Sequence, residues 1–193
     1  MAPIVLASTS TYRRQLLQRL RLPFSVQAPR VDECALAGEA PRDTARRLAL
    51  AKALAVSAGR PEAIVIGSDQ VADVDGEALS KPGTHEAALA QLTRMQGREV
   101  VFHTAIALVD SRGGQQLDDV PTAVRFRVLP AASLDAYLRA EQPYDCAGAA
   151  KIEALGITLV ESVRSDDPTA LIGLPLIRLT TMLAACGIRL PAQ

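Results

Sequence analysis

Residues 63–74, Ala-Ile-Val-Ile-Gly-Ser-Asp-Gln-Val-Ala-Asp-Val, decide the fold of this chain. The run Ala63–Gly67 is short and apolar, which is typical of a buried strand, and Val71–Val74 extends it. Asp75-Gly76 then gives the signal of a tight hairpin turn. Because ligands of α/β proteins bind at the carboxyl ends of buried strands, we place Asp69, at the end of the buried run, in a candidate site.

Strand and helix patterns alternate on both sides of this run. Apolar or alternating residues predict strands over Ile4–Ala7, Phe24–Ala28, Glu99–Val109, Ala123–Leu129 and Ile157–Val160. Apolar residues at helical spacing, with caps and closing glycines, predict helices after the turn Ser8–Thr11 and over Pro41–Ser57, Thr84–Met95, Ser133–Ala140 and Leu174–Cys186. This alternation, interrupted by the hairpin, predicts an α/β fold with a mixed sheet.

Length and composition limit the organisation and the partners of the chain. Its 193 residues are close to the roughly 150 of one average domain, so we expect a single domain over residues 1–193, with two lobes and no separable linker. With 21 Lys+Arg against 21 Asp+Glu, the chain lacks the basic surplus of a general nucleic-acid-binding protein. No apolar run approaches the ~20 residues of a membrane span.

Two features of the sequence predict the cellular location of the protein. The beginning of the chain does not resemble a signal peptide, so a cytoplasmic location is expected. The three cysteines are far apart and odd in number, which indicates reduced thiols.

With only His85 and His103, a zinc site of histidines and cysteines is not expected. A metal would therefore be held by carboxylates, which favours a hard cation such as Mg²⁺ or Mn²⁺.

The turn between the first strand and the first helix is a candidate anion site. Ser8, Ser10, Arg13 and Arg14 lie where free backbone N–H groups at a helix start bind anions, and their side chains add further donors. The alternative is a plain helix cap with two solvated arginines. The glycines of a phosphate-binding P-loop are absent.

Four charged residues on other predicted elements complete one kind of site. Asp69 is a candidate metal ligand or base, and Glu33 follows the second strand. Lys52 on the second helix and Lys81 after the hairpin are two of the three lysines of the chain. Taken singly, each could be a solvated surface group. Together with Arg13 and the serines, they form the equipment of phosphoryl or nucleotidyl chemistry, which depends on positioning and on neutralising charge.

Seven motifs, in order, resemble the Maf-like nucleotide pyrophosphatases, over about Ile4 to Leu183. They are Leu6-Ala-Ser-x-Ser10-x-x-Arg13, Val31-Asp-Glu33, Ala51-Lys52-Ala53, Ile66-Gly-Ser-Asp-Gln70, Ser80-Lys-Pro82 with Thr84 and Glu86, Cys146-Ala-Gly148 and Ile172-Gly-Leu-Pro-Leu176. The family hydrolyses nucleoside triphosphates between the α- and β-phosphates with a divalent metal, for which Mg²⁺, Mn²⁺ and Co²⁺ are the candidates, and is viewed as removing noncanonical nucleotides.

The resemblance implies a fold and a role for each matched residue. The fold is a Maf/ITPase-like mixed twisted sheet with flanking helices and two lobes around a central cleft, and a homodimer is frequent. Asp69 is implied as the catalytic proton acceptor and, with Glu33, as a metal ligand. The residues implied in substrate binding are Ser8, Ser10, Arg13, Lys52 and Lys81.

At three specificity positions the chain most resembles the YceF-like branch of the family, whose substrate is 7-methyl-GTP. That branch carries Trp, Gln and Glu where this chain has Tyr12, Gln70 and Glu153, and the aromatic face suits the positively charged base. Tyr12 departs from the branch, and so does Ala154, which stands where the family usually has Gly and would be strained at a positive φ. The alternatives are dTTP, UTP or another modified nucleotide as substrate, or a nucleotide-binding regulator of cell division.

Overall fold

Strand β3 (Ile64–Val74) lies inside a seven-stranded mixed sheet within residues 2–191, which the computed structural model describes. The other strands are β1 (Ile4–Ala7), β2 (Phe24–Gln27), β4 (Glu77–Leu79), β5 (Glu99–Val109), β6 (Gln115–Phe126) and β7 (Val160–Arg164). The strand order is β2-β1-β3-β5-β6-β7, and β4 pairs with β3 across the predicted hairpin. The pairs of β1 with β2 and β3 are parallel, and all others are antiparallel. The α/β fold with a mixed sheet is therefore confirmed.

Five α-helices flank this sheet in the described part of the chain. They are α1 (Thr11–Gln18), α2 (Pro41–Ser57), α3 (His85–Met95), α4 (Ala131–Glu141) and α5 (Leu176–Ala185). Short 3-10 helices lie at Ala147–Ala149, Leu155–Leu159 and Ala170–Ile172. Among these residues, none of the helices combines the length and the apolar character that a membrane span requires.

The sequence pattern places Asp69 at the end of its strand, but in the structure the strand continues past it. Strand β3 continues without a break to Val74, because β5 pairs with it from Val65 to Asp73. The parallel neighbour β1, however, stops at Ala7, opposite Gly67. Asp69 therefore lies just beyond the carboxyl end of β1, and this end of the sheet has room for a ligand.

Two strand predictions in the second half of the chain were wrong in their bounds. Strand β6 begins at Gln115 instead of Ala123. Its polar first half, Gln115–Thr122, is a strand because it pairs in register with Phe102–Val109 of β5, although it carries no apolar pattern. The predicted strand Ile157–Val160 is mostly the 3-10 helix Leu155–Leu159, and the strand itself, β7, follows over Val160–Arg164. Its residues after Val160 are exposed, so burial imposes no periodicity on them.

The sheet has different partners on its two faces near β1. Alternate residues of a strand point to opposite faces, so Ile4 and Leu6 pack with α1 and α5, whereas Val5 and Ala7 pack with α2. A third apolar cluster surrounds α3 and α4 and includes the later residues of β3. Strand β3 thus belongs to both halves of the molecule, and the cleft between them lies beside its middle.

Helix α2 approaches β3 so closely that only glycine fits at position 67. A Cβ on Gly67 would lie 2.2 Å from the carbonyl oxygen of Ala49 and 2.8 Å from the backbone nitrogen of Ala53, both in α2. The small alanines on this side of the helix permit the same close approach. The consequence for the site is that the same turn of α2 holds Lys52 directly against β3.

A histidine between two carboxylates joins three strands on the α2 side. His103 of β5 lies with Nδ1 2.8 Å from Oδ2 of Asp119 and with Nε2 3.6 Å from Oδ2 of Asp73. Arg42 of α2 contacts the same oxygen of Asp119 at 3.4 Å. The hydrogen bond to Asp119 is the main cause that raises the pKa of His103, with the nearby Asp73 adding to it and burial opposing it.

We predict that this network makes stability depend on pH. A raised pKa means that the folded protein binds the His103 proton more tightly than the unfolded chain, so the stabilisation is complete below about pH 6.5, the ordinary pKa of histidine, and is lost as pH rises through the folded pKa. The free energy of unfolding, measured by urea titration, should therefore fall with rising pH more steeply for the wild type than for His103→Gln. Parallel curves for the two proteins would contradict this prediction.

Candidate active site

One cavity of about 710 Å³ lies beside the middle of β3. Its walls come from the start of α1, the middle of α2, the hairpin strand β4 and the segments around residues 145–153 and 171–173. The ten residues to which the family resemblance gives a role all line this cavity: Ser8, Ser10, Tyr12, Arg13, Glu33, Lys52, Asp69, Gln70, Lys81 and Glu153. They come from six separate stretches of the chain, so the fold brings together what the sequence keeps apart. Arg14, the fourth residue of the candidate anion site, does not line it and lies instead in a separate hollow with Gln18 and Phe24.

The buried ammonium of Lys52 is the centre of this site. Its Nζ lies 2.6 Å from Oδ1 of Asp69 and 2.9 Å from Oε1 of Glu33. Lys52 is only 4% exposed and Asp69 7%, which rules out a solvated lysine on the helix surface. A charge this deeply buried needs a partner, and here each residue supplies the compensation that the other requires.

Lys52, Asp69 and Glu33 form an ion cluster, and Glu33 lies on its exposed side. Partial burial works against its ionisation, but the hydrogen bond from Lys52 and the charges of Lys52, Lys81 and Arg13 outweigh that effect and lower its pKa. Half of its side chain remains exposed. Glu33 is therefore a carboxylate at neutral pH that faces both the cluster and the open cavity.

The turn before α1 combines the two interpretations that its sequence allowed. The Ser10 hydroxyl caps the helix by accepting from the backbone nitrogen of Arg13 at 3.3 Å, and the Ser8 hydroxyl accepts from the backbone nitrogen of Ser10 at 3.1 Å. Both serines nevertheless line the cavity. A capped helix start that faces a cavity is a suitable place for an anion.

A carbonyl group fixes the direction of the Arg13 side chain. Arg13 Nε donates to the Gly173 oxygen at 2.8 Å, and the same oxygen accepts from the Ser68 hydroxyl at 2.9 Å. Burial lowers the pKa of Arg13, while Asp69 and Glu33 raise it, and the guanidinium stays charged in either case. Since Nε is used for anchoring, the two terminal nitrogens remain for a ligand.

Gln70 uses its amide nitrogen inside the protein. The two hydrogens of this nitrogen serve three acceptors within hydrogen-bond distance: Thr104 Oγ1 at 2.9 Å, the carbonyl oxygen of Ala170 at 3.1 Å and that of Leu171 at 2.9 Å. These bonds hold the segment that leads to Gly173, the anchor of Arg13. The side chain thus connects the strand of Asp69 to the position of Arg13, and its carbonyl oxygen is the part that is left for a ligand.

Tyr12 has a cationic neighbour that the sequence did not link to it. Lys151 Nζ lies 5.6 Å from the centre of the Tyr12 ring and 3.8 Å from Oε2 of Glu141. A hydrogen bond to Tyr12 is the main cause that raises the pKa of Lys151. A positively charged base on Tyr12 would share the ring with this ammonium. Ala154, beside Glu153, has φ of −129°, so it is not strained in the left-handed region.

Cys146 and Asp145 are cavity residues whose contribution sequence reasoning did not identify. Burial, followed by the nearby charge of Asp145, raises the pKa of Cys146 to about 12. The thiol is therefore protonated at neutral pH, and a thiolate nucleophile is excluded at this position. The quoted motif around Cys146 was the signal that could have pointed to this wall of the cavity.

The carboxylates fit a hard divalent cation that is shared with a ligand. Glu33 and Asp69 both contact one ammonium, so their oxygens converge on the same part of the cavity. Within residues 2–191, no group of three or more His, Cys, Asp or Glu side chains is arranged to hold a metal ion by itself. Mg²⁺ commonly takes one or two carboxylates and completes its coordination with substrate phosphates and water, which matches this donor set.

Comparisons with known proteins agree over nearly the whole chain. The family described as "Maf-like protein" matches residues 3–186. A 7-methyl-GTP pyrophosphatase of Polaromonas sp. is 60% identical over 193 residues, which cover 99% of this chain and 88% of that protein. A 7-methyl-GTP pyrophosphatase of Burkholderia orbicola is 62% identical over 186 residues, which cover 94% of this chain and 89% of that protein.

A stability measurement can test the ion cluster without any substrate. We predict that Lys52→Met lowers the free energy of unfolding by about 3 kcal/mol or more, because it leaves the buried Asp69 without compensation. The double variant Lys52→Met/Asp69→Asn should recover much of this loss, since the unpaired charge is gone. Urea titrations of the four proteins measure both effects, and strictly additive losses would contradict the pairing.

Proposed function

We infer that this chain, which belongs to the Maf-like protein family, is a nucleoside triphosphate pyrophosphatase. It hydrolyses 7-methyl-GTP to 7-methyl-GMP and diphosphate and so removes a noncanonical nucleotide. Relatives at about 60% identity carry the name of this activity over nearly the whole length of the chain. The observation that carries the proposal is the buried cluster of Lys52, Asp69 and Glu33 in a cavity that also contains Arg13 and Lys81.

Asp69 is the group that we assign to the attacking water. Lys52 binds Oδ1 of Asp69, which leaves Oδ2 to accept a hydrogen bond from water. As the water oxygen attacks the α-phosphorus, its proton passes to the carboxylate and the bond between that phosphorus and the bridging oxygen breaks. Because Lys52 fixes the carboxylate within the sheet, its position is set before substrate arrives.

The basic residues stabilise the leaving diphosphate. Lys52, Lys81 and the terminal nitrogens of Arg13 face the cavity from three different segments, and the start of α1 adds backbone donors beside Ser8 and Ser10. Fixed positive groups of this kind stabilise negative charge that develops on the bridging oxygen. Glu33 and Asp69 would hold the divalent cation, for which Mg²⁺, Mn²⁺ and Co²⁺ are the candidates, and the cation would neutralise phosphate oxygens.

Tyr12 and Glu153 are the residues that we assign to the base. Methylation at N7 gives guanine a positive charge, which an aromatic face attracts and a carboxylate offsets. Glu153 can also accept from the ring N–H and the amino group of guanine. The two residues line the same cavity as the phosphate-binding groups. The homodimer implied by the family resemblance and the cytoplasmic location expected from the sequence remain predictions.

Replacement of the assigned proton acceptor tests the reaction. We predict that Asp69→Asn lowers kcat/KM for 7-methyl-GTP by about 100-fold or more, because the amide cannot accept the proton of the attacking water. Asp75→Asn is the matched control, since Asp75 lies in the exposed hairpin turn and outside the cavity. Chromatography of the products measures nucleoside monophosphate and diphosphate together, and undiminished release by Asp69→Asn would remove Asp69 from this role.

Substitution of the aromatic residue tests the choice of base. We predict that Tyr12→Leu lowers the preference for 7-methyl-GTP over GTP by about 2- to 30-fold, which corresponds to a cation–π contribution of about 0.5 to 2 kcal/mol. Tyr12→Trp should raise the same preference. Values of kcat/KM for 7-methyl-GTP, GTP, dTTP and UTP measure it, and a wild-type preference for the pyrimidine nucleotides would refute the assignment of Tyr12 and Glu153.

A further inference from the structure

The loop that carries Glu33 has no regular secondary structure of its own. Residues 28–40 connect the end of β2 to the start of α2 and contain neither helix nor strand. An Asx turn, in which Asp32 Oδ1 accepts from the backbone nitrogen of Cys34 at 2.9 Å, shapes the residues around Glu33. The ion pair with Lys52 holds only the tip of the Glu33 side chain, so other contacts must set the course of the loop.

Glu39 and Arg47 supply these contacts. Two guanidinium nitrogens of Arg47, in α2, form a bidentate contact with the Glu39 carboxylate: Nε donates to Oε1 at 2.6 Å and Nη2 to Oε2 at 2.7 Å. Glu39 Oε2 also accepts from the Thr44 hydroxyl at 2.9 Å and from the backbone nitrogen of Leu36 at 3.2 Å. Bidentate pairs of this kind fix geometry as well as contribute energy.

Arg47 also reaches the residue next to Glu33. Its Nη2 donates to the carbonyl oxygen of Cys34 at 3.1 Å. One guanidinium therefore holds the loop at two places, at Glu39 near its end and at Cys34 beside Glu33. The hydrogen bond with Arg47 is the main reason that the pKa of Glu39 falls to about 2, so this pair stays ionised over the whole range of ordinary assay pH.

We propose that Arg47, acting through Glu39 and the backbone of Cys34, is a positioning residue that holds Glu33 at Lys52 in the active cavity. Helix α2 then supplies both contacts that position Glu33: Lys52 binds its carboxylate, and Arg47 binds the backbone of the next residue, Cys34. The proposal rests on the role that we assign to Glu33 under the proposed function. If the loop becomes more mobile, Glu33 is held less accurately, and the cation and the substrate should bind more weakly. A misplacement of about 1 Å is enough to lower a reaction rate by up to about 100-fold.

A double-mutant cycle separates positioning of Glu33 from general support of the fold. We expect Arg47→Gln to lower kcat/KM for 7-methyl-GTP by about 10- to 100-fold and to raise the Mn²⁺ concentration needed for half-maximal activity. In a Glu33→Gln background the same substitution should cost less than about 3-fold, because the group that it positions is already gone. Arg47→Lys should restore only part of the loss, since lysine cannot form the bidentate contact.

An exposed ion pair elsewhere in the chain supplies a control variant for Arg47→Gln. Arg60→Gln removes a similar but exposed pair, Arg60 with Glu62 at 3.1 Å, and should leave both constants unchanged. Equal losses from Arg47→Gln in the wild-type and Glu33→Gln backgrounds would overturn the proposal, and so would wild-type activity and Mn²⁺ dependence in Arg47→Gln. Glu39→Gln gives the same test if Arg47→Gln does not fold.

Two measurements without turnover keep this proposal distinct from the proposed function. Hydrogen exchange of residues 30–36 should become faster in Arg47→Gln than in the wild type, and Mn²⁺ should bind more weakly in the presence of diphosphate, as measured by calorimetry. If the wild type hydrolyses none of the nucleotides, the proposed function fails, while these two results still decide whether Arg47 holds the loop. Unchanged exchange and unchanged Mn²⁺ binding would overturn the positioning role.

Discussion

The buried contact between the Lys52 ammonium and the Asp69 carboxylate is the constraint on which the rest of this site depends. A charge at this depth would be costly if it stood alone, and the pair is placed only because α2 packs against β3 at Gly67. The early end of β1 leaves the same stretch of β3 open to the cavity. Packing, strand length and charge therefore act together to place the Asp69 carboxylate and the Lys52 ammonium at the buried end of the cavity, its floor.

Around this rigid floor, the other functional groups lie on turns and loops that are fixed by specific hydrogen bonds. Gly173 holds Arg13, Gln70 holds the segment before Gly173, and Arg47 holds the loop of Glu33. Each of these bonds uses a polar group of the protein to aim another polar group at the cavity. Such preorganisation is what a reaction governed by charge neutralisation requires, because the donors need no rearrangement when the charge develops.

Much of this arrangement could be predicted from the sequence. The bounds of α2, β1 and β5 follow from their apolar patterns and caps, and the ten residues that the resemblance gives a role line one cavity. The first half of β6 could not be predicted, because pairing with β5 and not burial makes it a strand. The burial of Lys52 and the contact of Arg47 with Glu39 depend on how α2 meets the sheet and the loop, and no local pattern records that.

The most direct test of the account is hydrolysis of 7-methyl-GTP in water labelled with ¹⁸O, followed by mass spectrometry of both products. In the proposed mechanism a water held by Asp69 attacks the α-phosphorus, so the label is predicted in 7-methyl-GMP and not in diphosphate. Label in diphosphate would mean attack on the β-phosphorus. That result, or the absence of hydrolysis with every divalent cation tried, would contradict the role assigned to this cavity.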